Sequence, residues 1–260
     1  MMKHLKIVFA CMVTIVLASC LDTEEKIQLN ANNSGTYSLT IDLGRMLKTA
    51  SSLGSVSESK VKEKKDTIIY LKDVLNSAEN ITAAEKALYM DAMVKVHINE
   101  AKDEMILEMS SPFKNSTGLA ELKNNFPAMM SKLKVFQNAT GDSDKAGVES
   151  EDSKIDKKSI NPVGDQFSFM ISPGKISNKV INLNAFKKKI ANDSTLGMMR
   201  QMTSMMGDFD YRTIIVLPKT VKRYDGPGSS ISADKKTLTF FTTLSEMLEH
   251  PEKASYELEY

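Results

Sequence analysis

The side chains best equipped for chemistry in this chain are few and lie far apart. Only two cysteines occur, Cys11 and Cys20. Cys20 ends the tetrapeptide Leu17-Ala18-Ser19-Cys20, and Leu21-Asp22-Thr23-Glu24-Glu25-Lys26 follows directly. A thiol is the softest nucleophile in the protein repertoire, so Cys20 offers one point of covalent attachment. A second cluster is thioether-rich. Met198, Met199, Met202, Met205 and Met206 fall at i, i+1, i+4, i+7 and i+8, which is one stripe of a helix. Flexible thioethers suit packing on a sheet, and equally a soft wall for an acyl chain, another apolar ligand or a partner helix. Thioethers also select copper(I), but no histidine or cysteine lies near the stripe, so no metal is expected there.

The remaining chemistry is sparse. His97 alternates with Val94, Val96 and Ile98 and is expected on the outer surface of a strand, while His250 stands in Glu249-His250-Pro251-Glu252, a turn setting. Neither neighbours a nucleophile, and no G-x-S-x-G, H-E-x-x-H, Walker-type loop or C-x-x-C is present. Asp142 to Gly147 opens like a calcium loop, but Ala146 and Ser153 occupy places where ligands belong, so the segment reads as solvated linker. No catalytic residue is assigned, and enzymatic activity is not expected. A hydrolase of envelope polysaccharide would need only two carboxylates, and nothing in the sequence selects a pair.

The surroundings of Cys20 are specific. Lys3 and Lys6 precede the apolar run Ile7–Ala18. Twelve residues of helix extend about 18 Å, short of the ~30 Å hydrocarbon core, so the run reads as a targeting segment rather than a membrane span. Its end, a branched residue and two small residues ahead of cysteine, resembles the lipobox of bacterial lipoproteins. That resemblance covers residues 1 to about 25. It implies that Cys20 receives a diacylglyceryl group, that cleavage occurs before Cys20, and that the new amine is acylated. Two or three acyl chains anchor a protein stably where one does not. Because Leu21 rather than aspartate follows the cysteine, the resemblance implies the outer membrane, facing the periplasm or the surface. The acidic group Asp22, Glu24 and Glu25 loosely resembles surface-export signals of some lipoproteins of the Bacteroidetes; it is expected to be a solvated tether.

Composition agrees with an exported domain. Cleavage removes Cys11 and leaves a single cysteine, so no internal disulfide can form. It also removes Lys3 and Lys6, so the chain's 34 basic and 33 acidic residues become 32 and 33, leaving no basic excess to attract nucleic acid. Trp is absent and Met numbers 17, so large binding aromatics are scarce. No cofactor is implied.

The elements that must carry these residues form paired strands. Ile27, Leu29 and Ala31 alternate, Asn32–Gly35 turns, and Tyr37 to Leu43 alternate again. A helix is expected from Arg45 to about Leu53. Another, capped by Asp66 or Thr67, should place Ile68, Leu71 and Leu75 on one face. Thr82 to Glu85 has capping-box spacing and starts a helix toward Met93. Val94–Ile98 and Met105–Met109 make a second hairpin, followed by a long helix capped by Ser116 or Thr117 and kinked or split at Pro127. Phe167–Ile171 and the strand reaching Leu183 make a third, followed by a helix capped by Asn184 and then the methionine-rich helix, capped by Asp193 or Ser194 and ending at Gly207. The rest, through the Tyr256–Tyr260 strand, reads as mostly strand.

Three strand–turn–strand–helix units predict an α+β fold: an antiparallel sheet with helices on one face. The expected organisation is a signal peptide at 1–19, a lipidated tether at 20–26, an α+β part at 27–137, a polar linker or inserted loop at 138–163 and a second α+β part at 164–260, forming either two domains or one continuous domain. The expected function is a lipid-anchored envelope lipoprotein with a non-enzymatic binding or structural role. Its partners would be the membrane, through Cys20, and an apolar ligand or envelope protein. A carrier of lipid using the Met198–Met206 stripe is the alternative.

Overall fold

The structure is a computed structural model and describes residues 23–45, 48, 64–76, 81–132 and 166–260. Among the described residues twelve strands form two sheets and six helices accompany them, so the fold is α+β. The strands of the larger sheet are β1 (Thr23–Leu29), β2 (Gly35–Asp42), β3 (Lys64–Tyr70), β4 (Met93–Asn99), β5 (Glu104–Phe113), β8 (Asp210–Val216), β10 (Ser230–Ile231) and β11 (Thr237–Thr243), ordered β10-β11-β8-β1-β2-β5-β4-β3. The smaller sheet, β6-β7-β12-β9, uses β6 (Phe167–Ser172), β7 (Lys175–Val180), β12 (Tyr256–Glu259) and β9 (Arg223–Asp225).

The expected hairpins form. In β1–β2, Ile27 faces Tyr37 and Leu29 faces Gly35, and the turn closes with Asn30 N–H donating to Ser34 O at 2.8 Å. Gly35 is required there, since a Cβ would meet the Gln28 carbonyl oxygen at 1.9 Å. The β4–β5 and β6–β7 pairs are likewise antiparallel. One pairing departs from an antiparallel sheet: β1 runs parallel to β8, with Glu25 opposite Thr213 and Ile27 opposite Ile215. Strands from both sides of residues 133–165 therefore share one sheet. The expected linker, 138–163, lies outside the described residues.

Alternation sorts the larger sheet into two faces. Ile27, Leu29, Tyr37, Val94, Val96, Leu107, Met109, Ile215, Leu238 and Phe240 are buried on the inner one. The helices that cover this face are α1 (Leu71–Leu75), α2 (Ala83–Tyr89) and α3 (Ser116–Lys132), which contribute Leu71, Leu75, Tyr89, Leu119, Leu122, Phe126 and Met129 to the same core. The smaller sheet adds Phe169, Ile176, Tyr256, Leu258 and Tyr260 to it, and the Tyr256 ring stacks on Phe240 with centroids 4.3 Å apart. A second cluster joins α4 (Leu183–Asn192), α5 (Ser194–Met206) and α6 (Leu244–Glu249) through Phe186, Ile190, Leu196, Leu244, Met247 and Leu248.

Several local expectations are corrected. Residues 64–70 are strand β3, and the helix begins only at Leu71. The β-branched run Thr67-Ile68-Ile69 favours extended backbone, and β4 supplies a full ladder of partners. Ile68 thereby points outward, 54% exposed. The cap of α3 is Asn115, whose side chain accepts from Gly118 N–H at 2.9 Å, and the helix continues through Pro127. Asn182, not Asn184, caps α4 by accepting from Ala185 N–H at 3.0 Å. The C-terminal part, expected to be mostly strand, also contains helix α6, because Thr243 accepts from Glu246 N–H and starts a turn that buries Leu244 and Met247. The capping box at Thr82 and Glu85 forms as the spacing predicts. The helix expected at Arg45–Leu53 falls largely outside the described residues.

Candidate functional site

Cys20, Leu21 and Asp22 lie outside the described residues, and β1 begins at Thr23. This corrects the tether expected over 20–26. Residues 23–26 are already strand, hydrogen-bonded to β2 on one side and β8 on the other. Glu24 and Glu25 are thus structural members of a central strand.

Glu25 is the unexpected group. It sits two residues before Ile27, hence on the inner face, and its side chain is only 11% exposed. Lys123 of α3 pairs with it and is itself largely buried. The Lys123 ammonium also lies 5.0 Å from the centroid of the Phe169 ring, on the smaller sheet. Thr213 on β8 donates its hydroxyl to Glu25 at 3.4 Å. Burial raises the Tyr37 hydroxyl well above its ordinary pKa, and the charge of Glu25 and a hydrogen bond to it raise it further. Tyr256 is raised in the same way, by burial first and Glu25 second. Among the described residues its hydroxyl is buried without a hydrogen-bond partner, as is Asn178 Oδ1 on the same sheet. One carboxylate, one ammonium and two neutral phenols thus meet where α3 and both sheets converge. Extending the Ile27/Leu29 alternation one step back would have found Glu25; nothing local marks Lys123 as its partner.

The methionine stripe lies on α5. Met199 is partly buried and packs in the cluster of α4, α5 and α6. The side chains of Met198, Met202, Met205 and Met206 lie outside the described residues. The helix ends before Gly207, whose φ of +86° is the left-handed conformation expected of a helix-terminating glycine.

His97 lies on the outer face, as its alternation predicts, but with partners the sequence did not signal. Its Nδ1 is 2.6 Å from Asp66 Oδ1 on β3 and its Nε2 is 3.4 Å from Glu104 Oε2 on β5. Hydrogen bonds to both carboxylates, Asp66 first, raise the imidazole's pKa, and the same contact lowers that of Asp66. His250 Nδ1 approaches Glu252 Oε1 at 3.5 Å, at the surface. On the outer side of the smaller sheet Lys175 and Lys179 bracket Glu257 and hold its pKa down to about 2. Among the described residues no group of three or more His, Cys, Asp or Glu side chains is placed to hold a metal ion, and no helix is long and apolar enough to cross a membrane.

Comparison with protein-family models, with curated proteins and with solved structures finds no match to this chain. The class defined by the fold alone is an α+β domain with, among the described residues, a mixed eight-stranded sheet.

Proposed function

We propose that this chain is a bacterial envelope lipoprotein, anchored in the outer membrane by acyl chains on Cys20, and that its folded part has a binding or structural role without catalysis. The observation that carries the reading is the Leu17-Ala18-Ser19-Cys20 tetrapeptide behind Lys3, Lys6 and a twelve-residue apolar run. Within that domain, the hairpins β4–β5 and β6–β7, each followed by a helix, are read as copies of a common unit, and the helix that would complete the same unit after β1–β2 falls largely outside the described residues. The partly buried packing of Met199 favours a core role for that residue. Labelled palmitate should enter the wild-type chain and not Cys20→Ala, and the variant should leave the membrane fraction. Equal labelling and fractionation of both would end the proposal.

A further inference from the structure

We infer that the rim of the larger sheet at the start of β1 rests against the lipid headgroups, so that the domain is a membrane-apposed platform rather than a body held away on a tether. This rests on the lipid anchor proposed for Cys20. Only Leu21 and Asp22 separate that residue from Thr23, and at most about 3.3–3.6 Å per residue gives a reach near 10 Å. The headgroup layer is itself about 5–7 Å thick on each side of a bilayer, from the difference between its total and hydrocarbon thickness. Thr23 cannot leave the membrane surface by more than a few ångströms beyond that layer.

β1 is interior in the sheet, so holding its start near the surface brings the neighbouring strand ends near it. Thr23 lies opposite Ile41 on β2 and Tyr211 on β8. The chain then places the β4–β5 turn, residues 100–103, on one side of β1 and the Asp208–Asp210 entry to β8 and start of α6 on the other. The rim is held by its own hydrogen bonds: Asp42 accepts from Gly44 N–H at 2.8 Å, and Asp208 accepts from Ser245 N–H at 3.0 Å and Phe209 N–H at 2.9 Å. Arg45 stands over the Phe209 ring, 5.3 Å from its centroid. Phe209 is itself partly buried against the cluster of α4, α5 and α6, so this contact ties the rim to the core. The opposite rim, with Lys114 and Lys219 at the ends of β5 and β8, is farther away by the length of β1, about 20 Å.

The mature chain has no cysteine besides Cys20, so single introduced cysteines are clean labels. Fluorophores at Ala101→Cys and Ser245→Cys on the near rim, and at Lys114→Cys and Lys219→Cys on the far rim, are read in the lipidated full chain reconstituted into phosphatidylethanolamine–phosphatidylglycerol vesicles with headgroup nitroxides. Near-rim labels should lose most of their fluorescence and far-rim labels should not. Inserting ten Gly and Ser residues between Asp22 and Thr23 gives a mean reach of about 18 Å and should abolish the contrast. Equal quenching at both rims, or near-rim quenching unchanged by the insertion, overturns the apposed rim while leaving the anchor standing. Membrane retention of Cys20→Ala removes the anchor and this inference with it.

Discussion

At the scale of single residues, the buried Glu25–Lys123 pair is the most consequential feature. Removing two charges from water costs several kcal/mol each, and only mutual attraction with added hydrogen bonds offsets that cost. Thr213 and the hydrogen bond with Tyr37 supply such bonds. Deleting one partner is therefore far worse than replacing both. Lys123→Ala should lower the unfolding free energy by about 3–5 kcal/mol. Glu25→Leu combined with Lys123→Met, which leaves apolar groups of similar size, should recover most of it in urea titrations. A loss below about 1 kcal/mol for Lys123→Ala, the range of exposed pairs, would show that the carboxylate is solvated and the pair is not a core tie.

At the scale of elements, β3 shows both what the sequence discloses and what it withholds. Ile68, Leu71 and Leu75 do share a helical face, yet Lys64–Tyr70 is extended because β4 completes its ladder. Hairpins and the capping box at Thr82 were legible because their partners lie within a few residues. The β3–β4 pairing, the parallel β1–β8 contact and the Glu25–Lys123 pair join residues far apart in the chain, and no local pattern records them. His97 is the clearest sign that β3 belongs to the sheet, since it joins Asp66 on the edge strand to Glu104 on β5. The sign of its pH dependence follows from its partners. The raised imidazole pKa means that its stabilisation is fully present below the unfolded value of about 6.5 and is lost as pH rises through the folded one. The lowered pKa of Asp66 means that its stabilisation is present above about 3.9 and is lost as pH falls through its own folded value. The Lys64 charge, on the same strand, adds to the second effect. The stability difference between wild type and His97→Gln should be largest between about pH 4 and 6.5 and shrink on either side. A difference independent of pH across that range would show that the imidazole does not latch β3 electrostatically.

At the scale of the whole molecule, the two sheets are joined by side chains and by backbone. Phe240 on β11 stacks on Tyr256 of β12, Lys123 on α3 reaches both Glu25 and Phe169, and Val221 N–H, just ahead of β9, donates to Lys235 O, just ahead of β11, at 2.8 Å. One continuous core contains residues of both. Such sharing leaves neither sheet an apolar interior of its own, so both should unfold in one step. The chain lacks Trp, and single tryptophans therefore report on one sheet at a time: Phe169→Trp for the smaller, Phe113→Trp for the larger. Within each variant, fluorescence and far-ultraviolet circular dichroism should give the same denaturant midpoint. Overpacking by about 1–3 kcal/mol moves both signals of one variant together and leaves the comparison intact. Tyr256→Ala, which removes the stack on Phe240, should lower the midpoints of both reporters by an amount corresponding to about 3–5 kcal/mol, the range for losing a large buried aromatic. If fluorescence and dichroism separate, or if Tyr256→Ala shifts only the Phe169→Trp reporter, then the smaller sheet unfolds independently and cannot be part of the core that holds β1 in place.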